Sequence, residues 1–265
     1  MEKEHKDINK KLWNNKVEHH VGSEFYNMKE FLKGSTSLNQ IEINLLGEIR
    51  NKKVLHLQCH FGQDSISLSR MGAEVVGVDF SEKAISKANE LAEKEDVKVR
   101  FICSDVYELK NNLNEKFDVV YTSYGVIGWL PDLDRWAEII STFLKPNGKF
   151  IFIEFHPFVW LFDDNFKCIE NNYFNRGPVK DKETGTYADR EAKIEQDYIW
   201  WNHSISEVLS SLIDNSIKLE SFSEYDYSPY PCFKNTVEFE LCKYRIKHLG
   251  NKIPMVYSLV GRKTD

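Results

Sequence analysis

The sequence has no run of about 18 apolar residues, so no transmembrane helix is expected. Its first stretch, "MEKEHKDINKKLWNNK", is charged throughout and has no apolar core, so no secretory signal is expected either. Cysteine is sparse and unpaired. Cys59, Cys103, Cys168, Cys232 and Cys242 are odd in number and include no C-x-x-C, which points to reduced thiols in the cytoplasm and not to a disulfide frame. Basic charge is in short supply: 35 Lys and Arg against 41 Asp and Glu give a net charge of −6. That balance argues against a nucleic-acid backbone as the main partner, and no DNA partner is expected. A small neutral or cationic substrate suits it better. There are no internal repeats and no low-complexity tract.

What is present fits one α/β domain with an insertion, as a monomer or homodimer: 265 residues, 42% hydrophobic and 29% charged. Residues 1–50 read as polar and helical, a cap preceding a domain over 51–265. In the cap, Phe25, Met28, Phe31 and Leu32 have helical spacing up to Gly34. A second amphipathic helix carries Leu38, Ile41, Leu45 and Leu46. From residue 51, strands and helices alternate. "KKVLHLQ", "AEVVGVDF", "VKVRFICSD", "FDVVYTSY" and "GKFIFIEFH" read as strands. Between them lie "DSISLSRMG", closed by Gly72, and "SEKAISKANELAEKE", capped by Ser81. "DLDRWAEIISTFLKPNG" is read as a helix closed by Pro146 and Gly148. Such alternation predicts βαβ units, a mostly parallel sheet and helices on both faces. After His156 it stops. Residues 157–201 form an aromatic-rich insertion with a few strands, expected to act as a lid over an organic substrate. A helix and two strands then finish the chain, and "PYPCF" reads as a turn.

In an open parallel sheet, ligands bind beyond the C-terminal strand ends, where the strand order reverses. The stretch "VLHLQCHFGQDSISLSR" ends the first strand there, yet it holds one glycine, Gly62, where nucleotide loops carry two or three. Gly62 lets the chain turn and pass close to a ligand. Asp79 ends the second strand, 17 positions beyond Gly62, and can accept both hydroxyls of a ribose diol or cap the helix that starts at Ser81. Phe80 beside it can lie against an adenine or belong to the core. Ser104, Asp105 and Val106 follow the third strand. Asp105 either accepts from an adenine amino group or caps the next turn. Thr122, Ser123 and Tyr124 follow the fourth strand, and His156 the fifth.

The stretches "VLHLQCHFGQDS", "AEVVGVDFSEKAISKA", "FICSDVYEL", "FDVVYTSYGVIGWLPD" and "FLKPNGKFIFIEFHPF" resemble class I S-adenosylmethionine-dependent methyltransferases over about residues 40–156. The HLQCHFGQD loop and "HHVGSEFYNMKEFL" are similar to a bacterial subgroup acting on small molecules. The resemblance implies a Rossmann-like, seven-stranded, mostly parallel sheet. It also implies S-adenosylmethionine as cofactor, S-adenosylhomocysteine as product, and a small-molecule acceptor. The family loop reads D/E-x-G-x-G-x-G; here those positions hold His56, Gln58, His60 and Gly62. Gln58, His60 and Gln63 then supply side-chain contacts in place of backbone. His56 is expected to be buried and hydrogen-bonded, bridging to the cofactor's amino group, a role the family gives to the acid at that position. In the N-terminal segment the resemblance implies an aromatic closing over the cofactor. Tyr26 or Phe25 takes that place, or packs in the core.

A dinucleotide-binding dehydrogenase needs G-x-G-x-x-G to seat a pyrophosphate on a helix N-terminus. That motif is missing, which favours the methyl donor, since it has no phosphate. A zinc site from His56, Cys59 and His60 is not expected, because His56 lies within a strand and no second ligand pair is near. The N/D-P-P-Y/W motif of base-methylating enzymes is absent after the fourth strand, where "YTSYGV" stands. Methyl transfer from a sulfonium needs alignment above all, and a base only when the acceptor must lose a proton. The candidates for that base are His156 and Tyr121, then Tyr124, Glu154 and His203. For His156 the alternative is a hydrogen bond to a loop carbonyl, and for His203 a capping role. A noncatalytic S-adenosylmethionine-binding protein and an RNA or protein methyltransferase are the competing readings.

Overall fold

The computed structural model describes residues 2–264. The chain begins with α1 (Glu2–Gly22), α2 (Met28–Phe31) and α3 (Gln40–Leu46). It continues through β1 (Lys53–Leu57), α4 (Gln63–Arg70), β2 (Glu74–Asp79), α5 (Glu82–Lys94) and β3 (Val99–Cys103). Then come β4 (Phe117–Ser123), α6 (Leu133–Phe143) and β5 (Leu144–Phe155). The hairpin β6 (Val179–Thr184) and β7 (Glu195–Trp200) precedes α7 (Ile205–Asp214) and β8 (Ile217–Tyr225). A second hairpin, β9 (Thr236–Glu240) and β10 (Lys243–Ile246), leads to β11 (Val256–Lys263).

Seven strands form one sheet in the order β3-β2-β1-β4-β5-β11-β8. The first five are parallel, and β11 runs antiparallel to both β5 and β8. Helices cover both faces, so the central strands are apolar almost throughout: "KVLHL" and "EVVGVD" are buried along nearly their whole length. The helices follow their apolar stripes. In α5, Ala84, Ile85, Ala88, Leu91 and Ala92 are buried, and the Ser81 side chain accepts from Ala84 N–H. The strand order reverses between β1 and β4, which opens a crevice beyond their C-terminal ends.

Three expectations fail locally. The helix α6 stops at Phe143, not at Pro146, and Leu144 already pairs with Phe117 as a strand residue. The residue before a proline is pushed out of helical geometry, which helps to end the helix early. The apolar spacing of Phe25 to Leu32 forms only turns and the four-residue α2, while the longest helix is the polar α1 before it. The β9–β10 hairpin has no counterpart in the expected strands.

Candidate active site

A cavity of about 1240 Å³ lies beyond the C-terminal ends of β1, β2, β4 and β5. Its floor is the β1–α4 loop together with the loops after β2, β3 and β4. Its roof is α1 and the β6–β7 hairpin. The two parts of the roof are joined by buried contacts. Asn9 Nδ2 donates to Ile199 O at 2.7 Å, and Asn9 Oδ1 accepts from Ile199 N–H at 2.9 Å.

The floor explains the glycine-poor loop. Gln58, His60 and Gly62 all have positive φ, at 55°, 50° and 78°. The bend of a glycine-rich loop is therefore kept, with two larger residues held in the left-handed region at a cost of about 1–2 kcal/mol each. Their side chains are engaged. Gln58 Nε2 donates to Val126 O at 2.9 Å, and His60 Nε2 lies 2.9 Å from His20 Nδ1 on α1. His56 Nδ1 lies 2.8 Å from Ser65 Oγ. Burial pushes both the His56 and His60 imidazoles down to about 3, so both are neutral near pH 7. Gln63 Nε2 donates to Tyr26 O at 2.7 Å, and the Tyr26 hydroxyl bonds to that of Tyr187 from the roof. Gly62 borders the cavity, but packing also demands it. A Cβ there would come within 2.6 Å of the Phe101 ring and 2.8 Å of Ala88 Cβ.

Asp79 lines the cavity and is 9% exposed. Its Oδ2 accepts from His60 N–H and its Oδ1 from Ser81 N–H, both at 2.9 Å. Burial raises its carboxyl to about 6 against these donors. Phe80, Ser104, Asp105, Val106 and Ser123 also reach the wall. Asp105 accepts from Tyr107 N–H and pairs with Lys6 of α1 at 3.0 Å. Two expected residues do not reach the wall. The Ser81 hydroxyl serves Ala84 N–H and Asn14, and Thr122 Oγ1 donates to Leu57 O across the sheet.

The expected bases are arranged differently. His156 is turned away from the cavity: its Nε2 meets Glu224 of β8 at 2.9 Å and its Nδ1 accepts from Phe158 N–H. Burial lowers its pKa and Glu224 opposes that. Tyr121 stands behind the wall, fully buried, its ring 4.9 Å from that of His56. His203 is held by Leu130 O at 2.8 Å and Glu207 at 2.9 Å. Glu154 accepts from the backbone N–H groups of Gly125, Val126, Ile127 and Phe155, so it anchors the loop after β4. Tyr124, Glu154 and His203 do line the cavity, Tyr124 at φ 40°.

Several wall residues were not among the candidates. Lys16 of α1 is buried, pairs with Glu183 of β6 at 2.5 Å, and lies 5.0 Å from the Trp13 ring centre and 5.8 Å from that of Trp129. Asp64, in the first turn of α4, also faces the cavity. The signal for Trp13 and Lys16 was their i, i+3 spacing on one helix face, hidden in a stretch whose charge suggests solvent.

A family model described as "Methyltransferase domain" matches residues 49–202. The chain belongs to this methyltransferase family. Among its relatives is the "Ubiquinone biosynthesis O-methyltransferase" of Coxiella burnetii, 27% identical over 135 residues, a match covering 50% of this chain and 57% of that enzyme. The "Uncharacterized methyltransferase YbaJ" of Bacillus subtilis is 26% identical over 236 residues, covering 82% of this chain and 89% of that protein. An S-adenosylmethionine-dependent methyltransferase structure from Mesorhizobium loti superposes with a TM-score of 0.60 at 21% identity, covering 88% of this chain and 100% of that one. The methyltransferase fold is thus the frame of the cavity.

Proposed function

We propose that this methyltransferase moves the methyl group of S-adenosylmethionine to a small-molecule acceptor by in-line displacement. The observation that carries this reading is Asp79: a carboxylate at the end of β2, beside the strand-order reversal, on the wall of a cavity of about 1240 Å³. A site for one small ligand holds roughly 300–1,000 Å³, so this one has space for a cofactor and an acceptor together.

The residues present suit the cofactor. The Asp79 oxygens accept from the backbone N–H groups of His60 and Ser81, and a carboxylate with its four acceptor sites keeps capacity for ribose hydroxyls. Phe80, Asp105 and Val106 are assigned to the adenine. Tyr26, Gln58, His60 and Gln63 surround the Gly62 bend at the methionine end, with neutral His56 beneath. Gln58 Oε1 is buried without a hydrogen-bond partner among the described residues, an acceptor that lacks its donor. Once bound, the cofactor supplies a methyl group already activated by its sulfonium. The protein's own part is to align acceptor and donor and to keep water out, which the aromatic roof and the joined α1 and hairpin serve. In this reading residues 1–50 act as the cap, and the 157–201 insertion as the lid. The name of the Coxiella relative supports a small-molecule acceptor.

Titration calorimetry with S-adenosylhomocysteine tests the assignment. Asp79→Ala removes two charge-assisted hydrogen bonds of about 1.5–3 kcal/mol each, so affinity should fall at least about 100-fold. Wild-type affinity should also weaken as pH drops through about 6, where the Asp79 carboxyl takes up a proton. An unchanged affinity in the variant would sink the assignment.

A further inference from the structure

The strand-order reversal divides the cavity. Asp79 ends β2 on one side of it, while Tyr124 follows β4 and Phe155 ends β5 on the other. The side away from Asp79 is built of rings. Phe155 lies 5.6 Å from Tyr124 and 5.1 Å from Phe233 between ring centres. Trp160, in the turn Val159–Leu161 after β5, lies 5.9 Å from Phe155, 5.5 Å from Phe233 and 6.4 Å from Trp200, the last residue of β7. All five line the cavity.

Trp160 stands apart from its neighbours. It is 37% exposed, whereas Phe155 and Phe233 are 9% exposed. Those two rings and Trp200 meet it at 90°, 58° and 56°, so none of them is stacked on the indole. In the core, by contrast, Phe150 and Phe152 lie at 17° to one another. A partly bare indole on a concave wall, with no parallel partner, suits a flat ring brought by a ligand, because aromatic planes attract one another in offset stacks. Trp200 adds an independent observation. Its Nε1 is buried with no hydrogen-bond partner among the described residues. A buried N–H calls for an acceptor. The charged groups beside this end are already engaged. Lys234 pairs with Asp164 at 2.6 Å, Asp163 accepts from the N–H groups of Lys167 and Cys168, and Arg190 donates to Cys232 O at 3.2 Å.

We propose that this end of the cavity is the acceptor subsite, and that its occupant is a flat aromatic ring carrying an oxygen. The ring stacks on Trp160, and the oxygen accepts from Trp200 Nε1–H. Trp160 thereby selects flat acceptors over puckered ones of the same skeleton, and Trp200 selects oxygenated rings over bare hydrocarbons. This names the acceptor class for the function proposed above and rests on that reading.

Calorimetry on protein saturated with S-adenosylhomocysteine tests it with probes that share one carbon skeleton: 2-naphthol, decahydro-2-naphthol and naphthalene. Burial of apolar area alone would hold the affinity ratio of the first two near or below one. Stacking makes wild type bind 2-naphthol about 2- to 10-fold tighter than its saturated counterpart. Trp160→Leu brings that ratio to one, and Trp160→Phe keeps it. Trp200→Phe keeps a ring and removes the N–H, so it weakens 2-naphthol about 2- to 10-fold and leaves naphthalene unchanged. A wild-type ratio at or below one overturns the proposal. So does a ratio that survives Trp160→Leu, or binding of no probe at all. Equal affinity of wild type and Trp200→Phe for 2-naphthol, or a parallel loss of naphthalene, overturns the oxygen contact. Should Trp200→Phe not fold, the preference of wild type for 2-naphthol over naphthalene decides the same point. Failure of wild type to bind S-adenosylhomocysteine overturns the cofactor reading alone; the same probes are then titrated into the free protein.

Discussion

The floor and the roof of the cavity are held by contacts of different range. In the floor, His60 N–H reaches Asp79 and Gln58 reaches Val126, all at the ends of neighbouring parallel strands. In the roof, Asn9 clasps Ile199, Asn15 bonds Gln196 at 2.7 Å, Lys16 pairs with Glu183, and Tyr26 meets Tyr187. The floor is backbone geometry set by strand order. The roof is a set of side-chain pairs between segments far apart in the chain. A shared cavity thus has one wall built with the sheet and one wall added by docking, and the docked wall is the one expected to open first.

Substitutions can break this contrast. The largest effect is expected at Gly62, deep in the floor. In Gly62→Ala the new Cβ meets Phe101 and Ala88 at a left-handed φ of 78°. The overlap and the backbone strain together cost about 2–4 kcal/mol, read as a lowered midpoint in chemical denaturation. A variant as stable as wild type would show that the floor can shift, and the contrast would fail. A smaller and local effect is expected in the roof. Asn9→Ala leaves the Ile199 N–H and C=O unpaired, at about 1–3 kcal/mol. Hydrogen exchange should quicken across α1 and β7 while β1 and β2 stay protected; equal acceleration in both would make the roof part of the core. The smallest effect is expected for Gln58→Gly. It relieves left-handed strain and loses the bond to Val126, two effects of opposite sign, so thermal stability should move by no more than about 1 kcal/mol. A loss well above that would mean the Gln58 side chain, and not the bend, holds the loop.

The same contrast decides what was legible. The five parallel strands, the Ser81 cap, the turn at Gly62 and the placement of Asp79 follow from local patterns: apolar runs, a capping serine, an acid at a strand end. Substituted glycine positions were legible too, since Gln58 and His60 stand at the family spacing, although their left-handed backbone was not. His156 shows where such reading stops. A strand-end position says which edge a residue occupies, not where its side chain turns. Its backbone N–H bonds to Met255 O just before β11, and its ring meets Glu224 of β8. Both partners come from about 70 or more residues further along, so no local pattern announced them. Tyr121 failed for a related reason: its ring packs behind His56, within the sheet's own core.

Lys16 and Glu42 carry the point further. A lysine in "LWNNK" and a glutamate in "NQIEINLL" look like solvent residues on amphipathic helices. They are buried because α1 is pressed against the β6–β7 hairpin and α3 packs against β5. The sheet, its order reversal and the acid beside it were already written in the chain, because strand periodicity, capping and turn chemistry act over a few residues. Which polar side chains are buried, and which of them face the cavity, depended on the folded arrangement. Those properties arise from docking distant segments, and no short-range pattern encodes them.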